Sequence, residues 1–132
     1  MRVIVTGGAG FLGRLLIQGL QEEGVEDIVA VDVAEVEIPG CRVVQGDLAH
    51  DRLLPELLEE SPCTIFHLAS VVSAGAEADW EHAIDQNIGA MLQLLEACRQ
   101  SEHVHKVVFA STLAVFGGAT AGGEVGDLVK QT

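Results

Sequence analysis

Val3-Ile4-Val5-Thr6-Gly7-Gly8-Ala9-Gly10-Phe11-Leu12-Gly13 is the stretch that sets the architecture. Three consecutive β-branched apolar residues form a strand, and the lack of polar alternation marks it as covered on both faces. Thr6 and the glycines stop it. From Phe11 to Glu23 the apolar residues Leu12, Leu15, Leu16 and Leu20 recur at helical spacing, with Gly24 as the stop. The glycines satisfy two spacings at once, Gly7-Gly10-Gly13 and Gly8-Gly10-Gly13. Between a strand and a helix, the first glycine permits a tight turn and the middle one lets backbone approach a pyrophosphate. The last lets the helix pack closely on the strand.

Outward from this turn the rhythm continues. Ile28-Val29-Ala30-Val31 is a second buried strand ending at Asp32, and Cys41-Arg42-Val43-Val44 a shorter third one followed by a Gly46-Asp47 turn. A helix is expected from about Asp51 to Glu60, then a fourth strand, Thr64-Ile65-Phe66-His67-Leu68. The longest helical pattern runs from about Ala78 to Arg99. Ile84, Ile88, Met91, Leu92, Leu95 and Cys98 form its apolar stripe, predicted to pack on a sheet, and Glu81, Asp85 and Glu96 lie off it. Lys106-Val107-Val108-Phe109-Ala110 is a fifth strand, and after Phe116 the glycine pairs at 117–118 and 122–123 read as loop. Strands written as apolar runs, alternating with helices, predict an α/β fold of the Rossmann type: a doubly wound parallel sheet, cut off after about five strands.

Asp32 gives the glycine turn its chemistry. It lies nineteen residues after Gly13 at the end of the second strand, where a carboxylate accepts from the ribose 2′-OH of a dinucleotide. It would repel a 2′-phosphate, and Val33-Ala34-Glu35 offers no arginine to bind one, so NAD is expected over NADP.

At 132 residues the chain has room for one domain. Hydrophobic residues make up 48% of it and charged residues 20%, a composition that folds around a core. Twenty acidic against seven basic residues give a net charge of −13, so neither nucleic acid nor an anionic membrane is an expected partner. No apolar run approaches the ~20 residues of a membrane span, no leader pattern opens the chain, and a cytoplasmic location is expected. Cys41, Cys63 and Cys98 are read as reduced core residues with no metal role. His67 is read as a core histidine rather than a catalytic base, and Trp80 as a cover for the core.

Four motifs in order extend the pattern: residues 6–13, then Gly46-Asp47-Leu48, then Phe66-His67-Leu68-Ala69-Ser70, then Val108-Phe109-Ala110-Ser111-Thr112-Leu113-Ala114-Val115-Phe116-Gly117. Spanning nearly the whole chain, they resemble the extended short-chain dehydrogenase/reductase group, the NAD-dependent epimerase/dehydratase family. The continuation Val71-Val72-Ser73 and the wording of the last motif resemble the D-erythronate dehydrogenase branch, which oxidises a four-carbon sugar acid with NAD.

The resemblance implies an NAD site built from Gly7, Gly10, Phe11, Leu12, Gly13 and Asp32. It further implies that Asp47 and Leu48 flank the adenine. Leu68, Ala69 and Ser70 would line the phosphate and nicotinamide side, and Asn87 would hold that wall from the long helix. Ser111 would lie beside the nicotinamide, and Thr112 matches the catalytic Ser/Thr that hydrogen-bonds the substrate hydroxyl. Family members complete the reaction with a Tyr-x-x-x-Lys pair. This chain has no tyrosine, and the residue four before Lys130 is Gly126. Residues 1–132 are therefore expected to be an incomplete NAD-binding domain lacking the catalytic helix and the substrate lobe, inactive alone, from a parent that is a homodimer. A nucleotide-sugar epimerase or dehydratase, and a non-catalytic NAD-sensing module, are the alternatives.

Overall fold

The computed structural model describes residues 1–59 and 61–111. Five parallel strands, β1 (Arg2–Thr6), β2 (Ile28–Asp32), β3 (Arg42–Gln45), β4 (Cys63–His67) and β5 (Lys106–Phe109), form one sheet in the order β3-β2-β1-β4-β5. The chain thus winds outward twice from β1. Register is set by pairs such as Val3 with Ile28, Arg2 with Cys63, and His67 with Phe109.

The apolar runs have the expected cause, since both faces of the central strands are covered. Ile4, Val29, Val31 and Ile65 point to one face, against Leu54, Leu57 and Leu58 of α2 (Leu53–Glu59) and Ala90 and Leu94 of α5 (Ala90–Gln100). Val3, Val5, Ile28 and Ala30 point to the other, against Ile17 of α1 (Phe11–Glu22). On β4 the second face is only half buried, at Thr64 and Phe66, because α1 is the helix that packs there among the described residues.

The long helix departs from expectation. It begins at Trp80 and is divided into α4 (Trp80–Ile84), a π turn (Asp85–Gly89) and α5, and a separate short helix, α3 (Ser73–Ala78), precedes it across the extended Asp79. The side against the core carries Ala83, Ala90 and Leu94, with Met91, Ala97 and Cys98 packed beside them. Of the expected stripe, Ile84, Ile88, Leu92 and Leu95 face outward. Trp80 does too, at 69% exposed, so it does not cover the core. The helix is apolar on two sides, and the side with small residues is the one that approaches the sheet closely enough to pack.

Cys63 is buried and Cys41 and Cys98 are half-buried, all free thiols. Burial, assisted by neighbouring Cys98, pushes the Cys63 thiol up to about 11. At the amino-terminal edge of the sheet the Cys63 N–H donates to His105 Nδ1 (3.3 Å), which leaves the His105 proton on Nε2, directed at Ser101 Oγ (2.8 Å).

Candidate functional site

The carboxyl ends of β1 and β4 meet where the winding reverses, the place where open α/β sheets leave a crevice for ligands. Here lies a cleft of about 450 Å³. Gly7, Gly10, Asp32, Asp47, Leu48, Leu68, Ala69 and Ser70 line it, so most of the expected binding residues share one surface. A cleft of similar size, about 470 Å³, sits near His103 and Pro55 and has no comparable convergence of backbone donors and carboxylates.

Thr6 closes β1 and is fully buried. Its Oγ1 accepts from the N–H groups of Leu68 (3.2 Å) and Ala69 (3.3 Å) and lies 2.8 Å from His67 Nδ1. With both amides donating to it, the hydroxyl gives its own proton to Nδ1. The imidazole is then neutral with its hydrogen on Nε2, and burial lowers its pKa in agreement. Phe109 stacks on the ring with centroids 6.1 Å apart.

The turn after Thr6 needs its glycines. Gly7 has φ +69°, and a Cβ there would stand 2.8 Å from the Ala69 nitrogen. A Cβ on Gly13 would stand 2.3 Å from the Gly7 carbonyl oxygen. The Gly7 N–H donates to Val31 O (2.8 Å) and the Gly10 N–H to Gly7 O (3.1 Å). Arg14 is the first α1 residue whose N–H reaches back one turn, to Gly10 O, and Gly10 offers no side-chain cap. The N–H groups of Phe11, Leu12 and Gly13 therefore stand at the positive end of a twelve-residue helix without carbonyls a turn before them. A pyrophosphate fits that end. Phe11 and Leu12 have exposed side chains there and, like Gly13, do not line the cleft.

Asp32 ties the turn to β2. One carboxylate oxygen accepts from the Ala9 N–H (2.9 Å) and the other from the Ala34 N–H (3.0 Å), with lone pairs left for a diol. Beyond it, Asp47 follows β3. Partial desolvation raises its carboxyl, but hydrogen bonds from Gln86 and the Ala49 N–H, with His50 and His82 nearby, outweigh this and hold its pKa below the usual carboxylate value. Leu48 borders the cleft while its side chain is buried in the core.

Asn87 lies outside the cleft lining and braces its wall: Oδ1 accepts from the Val71 N–H (2.8 Å) and Nδ2 donates to Val71 O (2.9 Å). Ser111 is exposed, two residues past Phe109 at the same edge. Thr112, the expected catalytic hydroxyl, and the glycine-rich stretch after Phe116 lie outside the described residues. Gln86 and His82 also line the cleft, and neither stood out in the sequence. Among the described residues no group of His, Cys, Asp and Glu side chains is placed to hold a metal ion, and no helix is long and apolar enough to cross a membrane.

Comparison with known proteins agrees with the fold. The sequence profile of the NAD dependent epimerase/dehydratase family matches residues 3–129. D-erythronate dehydrogenase of Cupriavidus necator is 38% identical over 131 residues, covering 89% of this chain and 40% of that protein. The enzyme of the same name from Haemophilus influenzae is 35% identical, with the same coverage of each. The chain thus spans about two fifths of the length of these relatives. Among solved structures, UDP-glucose 4-epimerase of Thermus thermophilus in complex with NAD superposes with a TM-score of 0.80 at 32% identity, covering 93% of this chain and 42% of that one.

Proposed function

The chain belongs to the NAD dependent epimerase/dehydratase family, and from that premise we propose that residues 1–132 are the NAD-binding part of a dehydrogenase acting on a sugar-acid hydroxyl of the D-erythronate kind. One observation carries this reading. The glycine turn that leads into α1, through Gly7 and Gly10, and the residues Asp32 and Asp47 line a single cleft, spaced along the carboxyl ends of β1, β2 and β3.

Bound NAD supplies the hydride acceptor. The chain's own residues bind and orient. The first N–H groups of α1 hold the pyrophosphate, Asp32 accepts from the adenosine ribose, and Asp47 and Leu48 flank the adenine. Leu68, Ala69 and Ser70, fixed through Thr6 and Asn87, wall the cleft toward Ser111 and the nicotinamide, and Thr112 hydrogen-bonds the substrate hydroxyl. The 132 residues include no tyrosine, so this reading assigns them cofactor binding and leaves proton transfer to groups outside them. The likeness to the Thermus thermophilus epimerase favours a second reading, a nucleotide-sugar epimerase with the same cofactor half. A cytoplasmic setting belongs to the proposal, because the reaction requires a pool of NAD.

Calorimetric titration of the chain with NAD and with NADP tests it. The carboxylate of Asp32 beside a 2′-phosphate is a close like-charge pair, so NAD is expected to bind more tightly by about tenfold or more. Binding of neither dinucleotide, or a preference for NADP, sinks the proposal.

A homodimer is part of the same reading. Trp80, Ile84, Ile88, Leu92 and Leu95 present an outward apolar stripe of a kind that monomers seldom leave open. A second copy laid antiparallel on it would cover both stripes at once, as an isologous interface requires. Sedimentation should give a dimer that Leu92→Glu converts to monomer, and a monomeric wild-type chain at all concentrations would refute the pairing.

A further inference from the structure

The π turn aims two consecutive amide side chains at two different walls. Here Asn87 clasps the Val71 backbone, and Gln86 Nε2 donates to both oxygens of Asp47 at 2.9 Å. The Ala49 N–H donates to Asp47 Oδ1 at 2.8 Å. Oδ1 therefore has two donors and Oδ2 has Gln86 alone, so Oδ2 keeps a lone pair in a residue that lines the cleft. A carboxylate held in this way is a fixed acceptor, matched to a ligand edge that donates and mismatched to one that accepts.

We infer that Gln86 is a positioning residue for purine selection: by fixing the Asp47 carboxylate it makes the cleft prefer a 6-amino purine over a 6-oxo purine. The inference rests on the NAD-binding reading above and goes beyond it, since it names the residue that orients the base-reading group. An adenine amino group donates to Oδ2. The 6-carbonyl of hypoxanthine would face the same oxygen as acceptor against acceptor. Without Gln86 the carboxylate is free to turn toward solvent or toward the N1–H of hypoxanthine, so the mismatch relaxes.

The test is calorimetric titration of the chain, wild type and variants, with NAD and with its hypoxanthine analogue. Gln86 is half-buried, and Gln86→Leu keeps its approximate volume. In this variant NAD binding should weaken about fivefold to tenfold, the loss of one charge-assisted hydrogen bond's orientation, while binding of the hypoxanthine analogue holds or improves. The ratio of the two affinities should fall toward one. Gln86→Glu changes little in shape and sets a second carboxylate against Asp47, and it should lose more NAD affinity than the leucine variant at pH 7. Equal weakening toward both dinucleotides in Gln86→Leu would mean that the side chain only packs the wall, and would overturn the inference. An unchanged ratio with unchanged affinities would do so too. A wild-type chain that binds NAD but does not prefer it over the analogue overturns this inference alone, and one that binds neither overturns the NAD reading with it.

Discussion

Gly13→Ala is expected to abolish NAD binding, weakening it by about a hundredfold or more, and to destabilise the fold by about 2–3 kcal/mol. The added Cβ would stand 2.3 Å from Gly7 O, 2.7 Å from Gly8 Cα and 2.9 Å from Gly8 C. All three are backbone atoms of the turn, so no flexible side chain can yield, and α1 has to withdraw from the end of β1. That withdrawal breaks the contact between turn and helix that directs the first N–H groups of α1 outward. Gly19 in the same helix is the control, because a Cβ there meets nothing within 4 Å. Gly19→Ala should leave binding intact and stabilise the chain by about 0.5–1 kcal/mol through helix propensity. Calorimetry with NAD and denaturant unfolding of both variants decide the matter, and a Gly13→Ala chain that binds like wild type would refute the close-packing role.

Thr6→Val should destabilise the chain by about 3–5 kcal/mol, a large share of the ~5–15 kcal/mol that holds a domain together. The two side chains have nearly the same shape. Loss of the hydroxyl leaves His67 Nδ1 and the Ala69 N–H, both served by Oγ1, without that partner, and the Leu68 N–H keeps only its bond to Thr6 O. Thr6→Ser retains the hydroxyl and should lose only about 1 kcal/mol, for the methyl. His67 and His105 set a pH dependence. Burial lowers the pKa of His67, and burial together with His103 lowers that of His105. The unfolded chain therefore binds more protons than the folded one as pH falls below about 6.5, and stability declines from there toward the folded-state values. Urea unfolding from pH 8 to pH 5 should show a plateau above pH 7 and a decline below it, shallower in His67→Gln. A flat profile would contradict the lowered histidine pKa values, and a Thr6→Val chain as stable as Thr6→Ser would contradict the role of the hydroxyl between His67 Nδ1 and the two amides.

The parallel sheet could be read from Val3-Ile4-Val5 and its successors because strands covered on both faces have to be apolar throughout, which leaves an unbroken signal. The turn was legible for a similar reason, as few sequences place glycines at that spacing between a strand and a helix and an aspartate at the end of the next strand. Helix orientation was not legible. Ala83, Ala90 and Leu94 recur at helical spacing, and so do Ile84, Ile88, Leu92 and Leu95. Periodicity tells which residues share a face, and close approach to the sheet selects the smaller ones. Gln86 was not legible because a polar residue on a helix is most often simply solvated, and its partner Asp47 lies 39 positions away. From the π turn Gln86 reaches the cleft and Asn87 the Val71 backbone that walls it, and no local composition signals that turn.

Pairing β1 with β4 also orders the events of folding. Val3 meets Ile28 across 25 positions, whereas Arg2 meets Cys63 across 61. Closing the longer loop costs about 0.8 kcal/mol more in chain entropy, which favours the unit β1-α1-β2 as the earlier structure and the arrival of β4 as the later one. The seam between β1 and β4 is also where Thr6 meets His67, Leu68 and Ala69. A half-folded chain can therefore display the glycine turn before it has a cleft, and a dinucleotide that needs both walls would select the closed sheet, acting as a late thermodynamic lock on the order in which the strands assemble.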